Sequence, residues 1–234
     1  MTGYNEAFII STEKRDEILA NCKSEKERTL TAEIIRPILR GRDIKRYGYD
    51  WAGLWLINTH NGVKGKYPPI DINEYPAIKQ HLDKFWVKIS KRDDKGITPY
   101  NLRNCAYMDD FFKPKIMYAE IVQEPRFYFD EKGIYYPEAT TFIMTGNNLL
   151  YLYKMLMTKT ITYLFKKYYA GGGLGESGYR YKKAFIELLP IPKTVSELTK
   201  KICKTDNEEE LENLVCQLYG FNELEIKHIE NREV

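Results

Sequence analysis

The segment from Lys115 to Thr145, KIMYAEIVQEPRFYFDEKGIYYPEATTFIMT, decides the fold class. It holds three strand-like runs, Lys115 to Val122, Arg126 to Phe129 and Thr140 to Thr145, rich in β-branched and aromatic residues. Turn signals separate them: Glu124-Pro125, Lys132-Gly133 and Tyr136-Pro137-Glu138. The spacing predicts a small mixed sheet.

Helical patterns lie on both sides of it. Tyr75, Ile78, Leu82, Phe85 and Ile89 recur at spacings of three and four, which predicts an amphipathic helix from Glu74 to Lys88. Asn147 or Asn148 can cap a helix from Leu149 past Leu164, broken near Thr158, whose Leu, Tyr and Met content makes it apolar on most faces and therefore buried. Nearer the N-terminus, TGYNEAFII reads as a first strand beginning within a few residues of Met1, as in a piece cut from a longer chain. Ser11 or Thr12 caps a helix to about Asn21, and Thr31 caps another ending near Leu39 with Pro37 in its last turn. Leu54 to Ile57 reads as a buried strand followed by a turn at Thr59-His60-Asn61-Gly62. Phe185 to Ile191 reads as a returning strand, and three short helices follow at Val195–Lys204, Glu208–Tyr219 and Asn222–Glu230. The expected class is α+β, a mixed sheet with packed helices followed by a short C-terminal helical segment.

With 234 residues, 43% hydrophobic and 29% charged, the chain can build one large core and is not disordered throughout. No apolar run reaches the roughly 18 to 20 residues of a membrane span, and the first residues lack the order of a signal peptide, so the cytoplasm is the expected compartment. Cys22, Cys105, Cys203 and Cys216 and the histidines at 60, 81 and 228 are scattered, which predicts neither a zinc site nor a disulfide framework. The net charge of +3 hides an asymmetry. Residues 194–234 carry 5 basic and 10 acidic side chains, a net of −5, leaving +8 for residues 1–193. The expected organisation is a basic recognition domain over 1–193 and an acidic helical segment over 194–234 that packs on protein, because an acidic helix is repelled by the polyanions a basic body attracts.

The stretch Lys88 to Cys105, KISKRDDKGITPYNLRNC, holds few residues a core could use and reads as facing outward. Arginine pairs with guanine, asparagine with adenine, and a carboxylate takes the cytosine amino proton, while lysines settle on phosphates. The candidate base readers are Arg92, Asp94, Asn101, Arg103 and Asn104, with Arg126 and Arg180 beyond the stretch. Candidate phosphate ligands are Arg40, Arg42, Lys45 and Arg46, then Lys91 and Lys95, and Lys166, Lys167 and Lys182. A solvated charged turn is the alternative for Lys88–Cys105. The glycines at 171, 172, 173, 175 and 178 lie between basic flanks, but no strand precedes them and no Gly-Lys-Ser/Thr follows, so a nucleotide P-loop is not predicted. The reading is a basic excursion along a nucleic-acid backbone, with a plain mobile hairpin as its alternative.

Catalytic patterns are missing. Tyr67 to Ile70 reads YPPI and lacks the Asn or Asp that opens a base-flipping tetrapeptide. Glu225 with Lys227, and Asp93 with Lys95, have nuclease-like spacing but no partner Asp on a neighbouring strand. No nucleophile elbow or HExxH is present, so no metal or catalytic residue is expected.

The ordered series TGYNEAFII, PILRGRDIKRYG, LWLINTHNG, YPAIKQHLDKF, KRDDKGITPYNLRNCAY, KPKIMYAEIVQEPRFYFD and FIELLPIP resembles the TaqI-like C-terminal specificity domain over nearly all of Thr2 to Pro192. This is the target recognition domain of type IIG restriction–modification enzymes, similar in turn to the recognition domains of type I specificity subunits. The terminal LVCQLYGFNELEIKHIE is like the C-terminal end of such enzymes. The resemblance implies a module that recognises a short sequence of double-stranded DNA for methyltransferase or nuclease domains lying before Thr2 in a parent polypeptide. S-adenosylmethionine and Mg would belong to those domains, with no cofactor in this chain. A protein-interaction module docking an acidic partner through its basic face is the alternative. Arg103→Ala is expected to relax sequence preference in a duplex-binding assay and Lys167→Ala to lower affinity evenly across sequences; equal losses on cognate and random duplexes would remove Arg103 from the readers.

Overall fold

The segment Lys115 to Thr145 builds a sheet as expected, but its three strands are antiparallel throughout rather than mixed. In the computed structural model, which describes residues 2–169, 178–193 and 197–231, the strands are β1 (Ile9–Ser11), β2 (Ile35–Leu39), β3 (Ile44–Lys45), β4 (Gly48–Tyr49), β5 (Leu54–Ile57), β6 (Lys115–Ala119), β7 (Ile121–Val122), β8 (Phe127–Asp130), β9 (Tyr136–Pro137), β10 (Thr141–Met144) and β11 (Tyr179–Arg180). With the helices they make an α+β protein. The chain divides into two compact units. One comprises Met1–Leu39, Trp51–Lys113 and Lys132–Ala139; the other comprises Arg40–Asp50, Pro114–Glu131 and Thr140–Val234.

The first unit holds a mixed sheet in the order β1-β5-β2-β9, antiparallel except for the parallel β2–β9 pair. Ser11 accepts from the Lys14 amide and caps the helix Thr12–Ala20, as expected. Two other expectations fail locally. Residues 5–8 form a single helical turn before β1, with Ala7 and Phe8 buried in it. The second helix is Glu25–Ile34, capped by Ser24, and Thr31 is buried inside it. Ile35–Leu39 is strand, not helix: Ile35, Ile38 and Leu39 are buried, and Pro37 pairs with Trp55 at a point β9 has not yet joined, where a missing N–H is tolerated.

The predicted helix over 74–88 is present in two pieces. Pro76 opens Pro76–Asp83 at the position where its lost N–H costs nothing, and a separate turn spans Trp86–Ile89. Tyr75, Ile78, Leu82 and Ile89 are buried with Phe8, Ile10, Ile35 and Ile57, so the apolar spacing located the core face.

The second unit is built on the antiparallel sheet β10-β6-β8. At the start of its central strand Lys115 is paired in register with Asp130, and the Nζ–Oδ2 distance is 2.6 Å with the side chains 0% and 1% exposed. Thr158 accepts from the Ile161 amide and separates the helices Leu149–Leu156 and Lys159–Tyr168, so the break is where the sequence places it. The first of these is less buried than expected: Leu149, Tyr151, Met155 and Leu156 face the core, while Leu150 faces solvent. The expected strand over 185–191 is instead a short helix, Lys183–Ile186, and irregular chain, since Pro190 and Pro192 remove amides a ladder would need.

The helices Glu197–Lys204, Glu208–Tyr219 and Glu223–Glu230 form as predicted, and Asn207 and Asn222 cap the latter two. A boundary at 193, however, does not divide the chain. Ile202, Leu211, Leu214 and Val215 share one apolar cluster with Ile116, Phe127, Met155 and Phe165, so the acidic helices belong to the second unit's core. Glu212 accepts from the Lys159 and Thr160 amides at 2.8 Å, capping the other helix's N-terminus. Lys154 donates to the Thr205 carbonyl and to Asp206.

Lys115→Met leaves a carboxylate buried without its ammonium and is expected to cost about 3–5 kcal/mol in urea unfolding. The double change Lys115→Met with Asp130→Leu is expected to recover most of that loss.

Candidate nucleic-acid interface

In the first unit the stretch Lys88–Cys105 folds back on itself through the bridge Lys95–Leu102, and it is not uniformly outward-facing. Arg92 is 6% exposed. Its guanidinium donates to the carbonyls of Thr2, Asp94 (2.7 Å), Pro99 (3.1 Å) and Asn101, and lies 4.4 Å over the Phe8 ring. Burial pushes its pKa down to about 10, with Asp94 pulling the other way, so it stays cationic at neutral pH. Asn101 is 1% exposed; it accepts from Thr98 and donates to the Ile70 and His60 carbonyls. Neither can reach a base, and both leave the reader set. They hold the loop's shape.

The residues left at the surface are Arg103 and Asn104, with Lys91 and Lys95. Arg103 Nη1 donates to Asp94 Oδ1 at 3.2 Å, and its side chain remains 54% exposed. Asp94 Oδ1 is thus engaged by Arg103, while the Asp94 side chain stays 30% exposed. Lys95 donates to the Ser90 carbonyl. A cleft of about 730 Å³ lies beside Asn104, lined by Asn61, Lys64, Tyr67, Pro69 and Cys105 among others. Burial and a hydrogen bond to Asp109 raise the Tyr67 phenol to about 12, and burial pushes the Cys105 thiol up.

In the second unit Arg40 is committed elsewhere. Its Nε and Nη2 donate to the Asp43 carboxylate at 2.8 and 2.7 Å, which closes the turn Gly41–Asp43 and withdraws this guanidinium from the phosphate set. Arg42 is exposed, and Lys45 lies 3.6 Å from Asp50. Arg46 donates to the Tyr47 hydroxyl, which donates to Glu208 of an acidic helix.

The ribbon of β7 and β11 then brings distant cations together. Tyr179 pairs with Val122 and Arg180 with Ile121, leaving Tyr179 buried and Arg180 exposed. Lys166 Nζ sits 4.9 Å over the Tyr179 ring, and burial lowers its pKa. Burial raises the Tyr179 phenol to about 12, with the Tyr181 hydroxyl, Arg46 and Arg126 pulling it down and Glu124 pushing it up. Arg126 is also paired with Glu124 at 3.1 Å. Lys167 lies over Tyr163 and Tyr168, and Lys182 over Phe185. Lys166 thus stands over the ring of Tyr179, the neighbour of Arg180 on the ribbon. The glycines at 171, 172, 173 and 175 lie outside the described residues.

Among the described residues no group of three His, Cys, Asp or Glu side chains gathers as a metal site, and no helix is long and apolar enough to cross a membrane. The sequence reading missed Asn61, taken only as part of a turn, and Tyr179, whose place under Lys166 depends on strand pairing.

A family model described as the TaqI-like C-terminal specificity domain matches residues 36–191, about two thirds of the chain. The chain belongs to this family. Its members are DNA sequence-recognition modules of restriction–modification enzymes, and such domains are generally not catalytic.

Arg92→Lys cannot satisfy four carbonyls with one ammonium and is expected to lower stability by about 3 kcal/mol. Arg103→Lys, at the surface, is expected to change stability by less than about 0.5 kcal/mol in the same denaturation experiment.

Proposed function

We propose that this chain reads a short sequence in double-stranded DNA and holds the duplex in register for a methyltransferase, with or without a nuclease, carried by the same parent polypeptide of the type IIG kind. The observation that supports it most is the ribbon of β7 and β11, which carries the exposed Arg180 beside Tyr179 with Lys166 4.9 Å over that ring, in a member of a DNA-recognition family. In this reading Arg42, Lys45, Arg46, Lys166, Lys167 and Lys182 of the second unit, and Lys91 and Lys95 of the first, neutralise phosphates. Each contact releases counterions and makes affinity fall with salt. Arg103, Asn104, Arg126 and Arg180 read base edges, where each good bidentate pair discriminates by about 1–3 kcal/mol. Methyl transfer to a base requires its extrusion from the stack, so the partner needs a duplex gripped at a fixed position. S-adenosylmethionine and Mg belong with that partner in this reading, and the work is cytoplasmic.

The test is duplex binding by this chain across a salt series. A log–log slope of about −4 or steeper is expected, and Lys166→Ala should lower affinity evenly across sequences and flatten the slope by about 1. Arg180→Ala should instead reduce the ratio of cognate to random binding. No duplex binding at 50 mM salt, with retention on an acidic protein, would replace this reading with the protein-docking one.

A further inference from the structure

In the first unit, Asn61 joins two residues of the Lys88–Cys105 stretch, Ile97 and Asn104, in a chain of hydrogen bonds that ends at the surface. The Ile97 amide donates to Asn61 Oδ1 at 2.7 Å, and Asn61 Nδ2 donates to Asn104 Oδ1. A backbone N–H can only donate, so it settles which end of the Asn61 amide faces it. Asn61 must turn its oxygen to Ile97 and its NH₂ to Asn104. Asn104 must then present its oxygen inward, and its NH₂ is left facing away from the relay. Gly96 is where the relay needs room: a Cβ there would collide with the Asn61 amide and with the Leu102 carbonyl.

The neighbouring Arg103 is sorted in the same way. Asp94 takes Nη1, so the Nε–Nη2 edge of the guanidinium is the one left for a ligand. An asparagine reads adenine by accepting from N6 while donating to N7, and a carboxylate reads the cytosine amino group. Here the Asn104 oxygen already accepts from Asn61, and Asp94 Oδ1 accepts from Arg103. What Arg103 and Asn104 themselves present to a ligand is donors.

We infer that Asn61 is a specificity-determining positioning residue, which fixes Asn104 as a hydrogen-bond donor so that the Arg103–Asn104 surface selects guanine, the base whose major-groove edge presents two acceptors, O6 and N7. This rests on the DNA-reading function proposed above. Asn61 touches no base in this scheme. It acts through Asn104, and Asp94 acts through Arg103.

Selection of duplexes from a randomised pool by the full chain tests it, followed by competition with 7-deazaguanine, which lacks N7. The wild-type chain is expected to enrich a motif with a guanine whose 7-deaza substitution weakens binding about tenfold. Asn61→Ala, checked for folding by its thermal melt, should lose that discrimination about tenfold while the salt slope stays unchanged. Asn104→Asp replaces the outward donor with an acceptor and should turn the preference at the same position from guanine to cytosine; because Asn104 is exposed, it decides the matter if Asn61→Ala does not fold. An unchanged motif in both variants, or a wild-type motif without guanine, overturns the inference while salt-dependent duplex binding leaves the proposed function standing. A wild-type chain that retains no duplex overturns both.

Discussion

Taking an ammonium or guanidinium out of water costs several kcal/mol, and the cost is offset only where geometry supplies full pairing. Lys115 meets that condition in the second unit through Asp130, directly opposite on the neighbouring strand. Because side chains alternate along a strand, a slip of one residue between β6 and β8 would send one of the two charges to the wrong face. The pair therefore ties the register of the sheet to a penalty that a purely apolar pair would not impose. From that register follow the inward faces of Ile116, Tyr118 and Phe127, against which the helices Leu149–Leu156 and Lys159–Tyr168 and the acidic terminal helices pack.

Arg92 meets the same requirement in the first unit with backbone carbonyls. Its planar fork gathers Thr2, Asp94, Pro99 and Asn101, and thereby closes the loop that Arg103 and Asn104 directly follow. A rigid base to that loop matters for reading DNA, since donors can discriminate between bases only if held within a fraction of an ångström of a productive position. The cations of this protein thus divide by solvent access. Arg40, Arg92, Lys115 and Lys154 are committed to carboxylates and carbonyls within their own units, and Arg42, Lys91, Lys167 and Arg180 remain at the surface.

How much of this was legible beforehand depended on how local each signal was. The spacing of Ile78, Leu82 and Ile89 located a buried face, and Ser11 and Thr158 located helix starts, since an N-cap acts on amides two or three residues away. The ending of the second helix at Ile34 was not legible, because Ile35–Leu39 is claimed by pairing with Leu56 and Tyr136, far along the chain. Arg92 and Asp94 stand in one polar run and look alike there. One is buried and the other half-buried because the carbonyls that satisfy Arg92 include Thr2, ninety residues away.

The amino-acid sequence by itself determined the α+β class, the helices with local caps, the basic surplus ahead of an acidic end, and a family resemblance carried by many short segments in order. Tertiary structure alone decided which charged and amide side chains are spent on the fold and which reach the surface. It also decided that the acidic helices complete the second unit's core, and that Asn61 turns the donor end of Asn104 outward. The physical reason is that propensity and periodicity act over a turn or a strand, whereas desolvation and hydrogen-bond satisfaction are settled by whichever distant groups the folded chain brings within 3 Å.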